Sequence, residues 1–186
     1  MGPEQFDHVL GAAAEVTGLN EFVVIGGQAI LGSVSVAPQA LLESIEVDLY
    51  PSSDPAAADA IDGALGDGSP FHAAFGYYAH GVGPETAKAP EGWRDRLVKR
   101  PVPARPGSTR TIVAWCLEPH DLALSKCVAE RKRDWNYAAE MLKAGLVQPD
   151  ILVARVADLP VEEEQRAHVG EMIRGLIARA GRDRGR

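Results

Sequence analysis

No lysine or arginine occurs in the first 87 residues of this 186-residue chain, although 12 aspartates and glutamates do. All 19 basic residues follow, beside 14 acidic ones, so the net charge of −7 splits into roughly −12 and +5. With a pI near 5.2 the chain is not built as a general nucleic-acid coat. Cysteine is nearly absent. Cys116 and Cys127 supply neither a disulfide framework nor four zinc ligands, and they fit a reduced, cytoplasmic protein. No apolar run approaches the ~20 residues of a membrane helix, so no membrane association is expected. The opening MGPEQFDHVL lacks the basic start of a secretory signal. What remains, 46% hydrophobic residues over this length, suits one domain with a real core or one domain with a helical extension.

Hydrophobic periodicity orders the elements. Phe6, Val9, Leu10 and Ala13 predict a helix over 3–17. Phe22-Val23-Val24-Ile25 is a β-branched run that predicts a buried strand. It stops at Gly26-Gly27, and a helix is expected to open at Gln28. SIEVDLY (44–50) alternates like a strand and ends at Pro51. Residues 54–65 read as a helix with Asp54 as N-cap before Pro55. Residues 66–90 predict a short helix and a strand. A further strand is expected near Leu97–Val102, then a turn at Pro106-Gly107 and a buried strand at Thr111–Leu117. Helices follow at 120–130, 133–144, 149–157 and 161–180, with Pro149 and Pro160 at helix starts. The expected architecture is α+β: a mixed β-sheet with flanking helices over 1–118, a C-terminal helical part over 119–180, and a frayed tail over 181–186.

Three constellations carry chemistry. Gly26-Gly27, between a strand and a helix, lets backbone approach a ligand and aims N–H groups at an anion. The ordinary alternative is a tight turn. Glu46 and Asp48 fall on one face of a strand, close enough to share a cation. Hard oxygen ligands suit Mg2+ or Mn2+, and the ordinary alternative is an acidic outer face. His120 to Lys126, followed by Arg131-Lys132-Arg133-Asp134, brings a helical lysine near a cationic cluster that ends in a carboxylate. The ordinary alternative is solvated helix charge, with Lys126–Glu130 as an i, i+4 pair. His72, His80 and His120 are scattered, and their spacing supports no zinc site. Tyr77, Tyr78 and Trp93 are stacking candidates that more often serve as core or rim.

VVIGGQAI followed by SIEVDLYP resembles the core motif of the polymerase-β-type nucleotidyltransferases. The stretch Pro119 to Lys126, with Arg131 and Arg133-Asp134 after it, resembles the AbiEii-like or minimal nucleotidyltransferase branch, several of whose members are toxins of toxin–antitoxin pairs. Gly92-Trp93-Arg94-Asp95-Arg96-Leu97 is similar to that branch as well. The resemblance runs from about Glu21 to Leu152.

It implies a nucleotidyltransferase-like fold and a metal-dependent enzyme that moves a nucleotidyl group from a nucleoside triphosphate (NTP) to an acceptor hydroxyl. It implies that Gly26, Gly27 and Gln28 hold the nucleotide with Lys126 and Arg131. It further implies that Glu46 and Asp48 bind Mg2+ or Mn2+, and that Asp48, Lys126 and Asp134 are catalytic. The implied acceptors are an RNA 3′ end (a tRNA, for example) or a protein, and an antitoxin is an implied partner. Two departures stand out. Glu46 occupies a position where the wider superfamily usually has Asp, and the strand at 111–117 offers no third carboxylate before Glu118. The basic segment Arg94 to Arg110, with six basic residues, is a candidate surface for a polyanionic acceptor. Two further readings stand beside this one. The first is a non-catalytic nucleotide- or partner-binding module on the same fold. The second is a small-molecule, antibiotic-modifying transferase whose acidic N-terminal half would suit a cationic substrate.

Overall fold

The computed structural model describes residues 1–34, 36–105 and 107–184. Its elements run α1 (Pro3–Thr17), β1 (Glu21–Ile25), β2 (Glu46–Pro51), α2 (Ala58–Leu65), α3 (Pro70–Phe75), β3 (Tyr78–Gly81), β4 (Val98–Pro103) and β5 (Thr111–Cys116). The helices α4 (Pro119–Val128), α5 (Lys132–Lys143), α6 (Pro149–Arg155) and α7 (Glu163–Arg184) follow.

The strands form one mixed sheet in the order β3-β2-β1-β5-β4. β1 is antiparallel to β2 and parallel to β5, β2 is parallel to β3, and β4 is antiparallel to β5. The expected α+β architecture is therefore the observed one. Alternation makes the two sheet faces different. Phe22, Val24, Val47, Leu49, Ala79, Ile112 and Ala114 share the buried face. α1 and α2 pack on that face, so closely that a Cβ on Gly81 would meet the Ala58 carbonyl. Phe6, Leu10 and Ile61 fill the layer between. The opposite face carries Glu46, Asp48, Tyr78 and His80 and is only partly covered.

Local chemistry explains where elements differ from expectation. The segment after Gly26 is a short 3-10 helix, Gly27–Gly32, rather than an α-helix. Residues 55–57 form a 3-10 turn ahead of α2, and the Asp54 side chain makes no capping bond. Pro149 does start α6, whereas α7 starts at Glu163, three residues after Pro160, and extends to Arg184. The expected frayed tail thus falls partly on that helix, with 185 and 186 outside the described residues. β5 is buried on one face only, with Val113 and Trp115 half-buried on the other. Gly107 has a left-handed backbone, as a turn there requires, while Pro106 lies outside the described residues. Buried residues of the sheet and of the C-terminal helices belong to one continuous cluster. Among the described residues no helix is long and apolar enough to cross a membrane.

Candidate active site

The site is built where β2 lies between β1 and β3. The parallel register sets Glu46 opposite Tyr78 and Asp48 opposite His80. Each pair closes with a hydrogen bond. The Tyr78 hydroxyl donates to Glu46 Oε2 at 2.8 Å, and His80 Nδ1 lies 2.8 Å from Asp48 Oδ1. One carboxylate or imidazole atom each from Glu46, Asp48 and His80 falls within a single 4.8 Å cluster.

On the other side of β2, the end of β1 meets the same carboxylates. Ile25 pairs with Asp48, and the chain then turns at Gly26, whose φ of 68° only glycine adopts without strain. A side chain there is also excluded by space, since a Cβ would stand 2.0 Å from Asp48 Oδ2. Gly27 faces different neighbours, with space for a Cβ. The position its Cβ would take is 3.7 Å from Lys126 Nζ and 3.7 Å from the Tyr137 ring. The two glycines thus lie between the β2 carboxylates and the C-terminal helices. Gln28 is buried, and its amide nitrogen donates to the Ser44 carbonyl at 3.0 Å. Its side chain props the segment leading into β2, and its Oε1 is buried without a partner among the described residues.

Helices α4 and α5 deliver the cations. α4 ends at Val128, and Glu130, with a φ of 56°, takes a left-handed backbone that reverses the chain into α5. The reversal sets Asp134 beside Lys126 and Arg131. Arg131 Nε donates to Asp134 Oδ2 at 2.6 Å, and Lys126 Nζ stands 3.5 Å from Asp134 Oδ1. Lys126 pairs with Asp134, then, rather than with Glu130. Asp134 is buried, while Arg131 remains largely exposed. Tyr137 on α5 donates its hydroxyl to the Gly27 carbonyl at 2.6 Å and so pins the helices to the glycine turn.

The electrostatics suit an incoming cation. Burial raises the Asp48 carboxyl above its ordinary range. The His80 hydrogen bond pulls it down, the nearby Glu46 charge pushes it up again, and Lys126 pulls it down from across the glycines. Burial and the Glu46 carboxylate push the Tyr78 hydroxyl up to about 12, so it remains a donor to Glu46. Two neighbouring carboxylates, one of them poorly solvated, have the chemistry of a hard-cation site. Two shallow surface hollows lie elsewhere, one lined by Glu91 and residues 157–162, the other by Pro3, residues 31–34 and Lys99–Pro101. The carboxylates stand on the open sheet face instead.

A family model described as nucleotidyltransferase of unknown function (DUF6036) matches residues 4–173. The chain belongs to that nucleotidyltransferase family. No curated protein and no solved structure matches it. In this family member the sequence offered Tyr78 only as a stacking candidate, His80 only as one of several scattered histidines, and Tyr137 not at all. Motif spacing carries no signal for them, because the strand register and helix packing that place them join residues 32 and 110 positions apart. The strand at 111–117, where no third carboxylate precedes Glu118, does not border β2. β5 pairs with β1 and β4, whereas the free neighbour of β2 is β3, which offers His80 at the Asp48 level.

Glu118 has other duties. It caps α4 by accepting from the His120 and Asp121 backbones, and it pairs with His120 and with Arg155 at 2.5 Å. The His120 ring accepts the Gln148 N–H at Nε2, so its proton sits on Nδ1 and points to Glu118. The basic segment is largely committed within the chain. Arg96 holds the buried Asp121, Arg100 holds Asp7 and the Leu31 carbonyl, and Arg110 holds Glu15 and Asn20. Arg94 and Lys99 lie over Trp93 and Trp115. Trp93 and Tyr77 are buried and Tyr78 is tied to Glu46, so none of the three offers an open stacking platform. Cys116 and Cys127 are buried free thiols, Cys116 pushed by burial up to about 12.

Proposed function

We propose that this family member is a metal-dependent nucleotidyltransferase acting on an NTP and an acceptor hydroxyl. The observation that carries the reading is the meeting of Asp48 and Lys126 at adjacent glycines, one residue from the sheet and one from the C-terminal helices. Glu46 and Asp48 would hold Mg2+ or Mn2+, which when bound supplies charge neutralisation of the triphosphate and orientation of its reacting phosphorus. Gly26 lets the Asp48 carboxylate approach the backbone, and the phosphates would be received at Gly27, beside Lys126. Gln28 would contribute only its backbone N–H, its side chain being spent on Ser44. In the reaction the acceptor hydroxyl gives up its proton to water, its oxygen bonds to the α-phosphorus, the bond from that phosphorus to the α–β bridging oxygen breaks, and pyrophosphate leaves. Lys126 and Arg131 take up the charge that grows on the leaving group, since such transfer depends on positioning and charge stabilisation. Asp134 is a positioning residue in this scheme, because its carboxylate holds both cations and is itself buried.

The narrower placement, in the AbiEii-like branch with a toxin role, is supported by the Pro119–Lys126 and Arg131–Asp134 motifs. Either an RNA 3′ end or a protein hydroxyl is compatible as acceptor. The 94–110 segment gives little support to RNA, because most of its basic side chains are engaged inside the chain. A binding module without transfer is the second reading, favoured by the imidazole at the position next to Asp48 where a third carboxylate would stand.

Thermal unfolding in each NTP with Mn2+ tests the proposal. Saturation at about 100 Kd stabilises the wild type by about 2.7 kcal/mol, a shift of several degrees, and Lys126→Ala loses most of it. No shift with any NTP in the wild type would sink the transferase reading and leave a partner-binding module.

A further inference from the structure

Building on the metal reading above, we propose that His80 is the third ligand of the site and makes it a mixed nitrogen–oxygen site that takes Mn2+ ahead of Mg2+. The argument is one of register. β2 has two neighbours. On the face that carries Glu46 and Asp48, β1 presents Ile25 beside Asp48, then Val23 and, at the far end of the strand, Glu21, whose carboxylate accepts from Trp115 Nε1. β3 presents Tyr78 and His80 there. The Tyr78 hydroxyl is engaged in donating to Glu46, which leaves His80 as the remaining donor atom facing the carboxylate pair.

The distances fit ligands of one ion. His80 Nδ1 and Asp48 Oδ1 are 2.8 Å apart, close to the ~3 Å separating neighbouring octahedral ligands at about 2.1 Å from an ion. The imidazole is also free to move. Its side chain is 48% exposed, against 19% for Asp48, and its hydrogen bond to Asp48 is the partner an arriving cation would replace.

The choice of cation follows from ligand type. Carboxylate, carbonyl and water suit Mg2+, whereas an imidazole nitrogen adds affinity for transition metals and little for Mg2+. Replacing a third carboxylate by a neutral ring also lowers the charge of the ligand set from −3 to −2 at full ionisation, which weakens its hold on two divalent ions at once. The site is thereby tuned to a single cation, with Mn2+ preferred.

The test uses the whole chain with Mn2+ alone, titrated by the loss of the free-ion EPR signal, and with Mg2+ as competitor. Electron spin echo modulation then reads nitrogen bound directly to Mn2+. The wild type should show nitrogen coupling and a clear preference for Mn2+. His80→Ala should lose the coupling and lower the Mn2+ to Mg2+ affinity ratio about tenfold or more. His80→Asp, which keeps three ligands, should also lose the coupling but bind Mg2+ at least as well as the wild type does. Because His80 is exposed, both variants should fold, which circular dichroism checks. Mn2+ bound without nitrogen coupling, or an unchanged ratio in His80→Ala, would overturn the role of His80 and leave the Glu46–Asp48 site standing. A wild type that binds no Mn2+ would overturn the metal reading itself, and this inference with it.

Discussion

Asp48 occupies a position that costs its carboxylate solvation. It sits half-buried beside a second carboxylate and against a glycine with no room for a side chain. In the free protein its negative charge works against folding, because burial and Glu46 both disfavour it more than His80 and Lys126 favour it. Asp48→Asn should therefore raise the melting temperature of the metal-free chain at pH 7, on the order of 2–4 °C if about 1 kcal/mol is relieved. The variant should lose stabilisation by Mn2+. A melting temperature lowered by as much would mean that the His80 contact outweighs the repulsion. Glu46, Asp48 and Lys126 were legible in the sequence because each belongs to a local pattern. His80 and Tyr137 were not, since a residue 32 or 110 positions away enters a site only through register or packing.

Strands were the most legible of the elements. Short β-branched or alternating runs marked β1, β2 and β5, whereas β3 and β4 were expected only loosely, within a Gly- and aromatic-rich stretch and a basic, Pro-rich one; the mixed α+β class followed from the order of the elements. The turns were less so. Glu130 ends α4 in a left-handed backbone that sequence rules reserve for Gly or Asn, so the reversal that brings Asp134 to Lys126 was hidden behind an expected Lys126–Glu130 pair. Glu130→Val, a β-branched residue at positive φ, should cost about 1–3 kcal/mol by urea unfolding, whereas Glu130→Gly should not. Equal losses would show that the Glu130 side chain, which meets Gln165, matters more than the backbone.

The start of α4 makes a separate prediction. Burial opposes ionisation of Glu118, but His120 and Arg155 outweigh it and bring its carboxyl down to about 2 in the folded chain, from 4.5. Its contribution is therefore complete above about pH 4.5 and is lost as pH falls towards 2. Stability measured at pH 5, 4 and 3 should fall less steeply in Glu118→Gln than in the wild type, and parallel slopes would contradict the assignment.

Across the whole molecule, the division of charge has two uses. Part of it is spent on cohesion. Arg100 with Asp7 and Arg110 with Glu15 join the basic half to the acidic half. Within the C-terminal half, the fully buried Asp121 is held by Arg96 before β4 and by Arg155 on α6. Removing that carboxylate strands two partly buried guanidinium groups, so Asp121→Ala should destabilise by about 3 kcal/mol or more in chemical unfolding. A loss under about 1 kcal/mol would place Asp121 among ordinary surface pairs. Four further charges gather around the glycine turn, Glu46 and Asp48 from the acidic half and Lys126 and Arg131 from the basic half.

The claim that these charges act on one nucleotide is tested most directly by offering NTPs labelled at the α- or the γ-phosphate, with Mn2+ and with total RNA or protein as acceptor. The account predicts metal-dependent transfer of the α-label alone, release of the γ-label as pyrophosphate, and loss of transfer in both Asp48→Ala and Lys126→Ala. Transfer of the γ-label, or α-label transfer by Asp48→Ala at the wild-type rate, would contradict it.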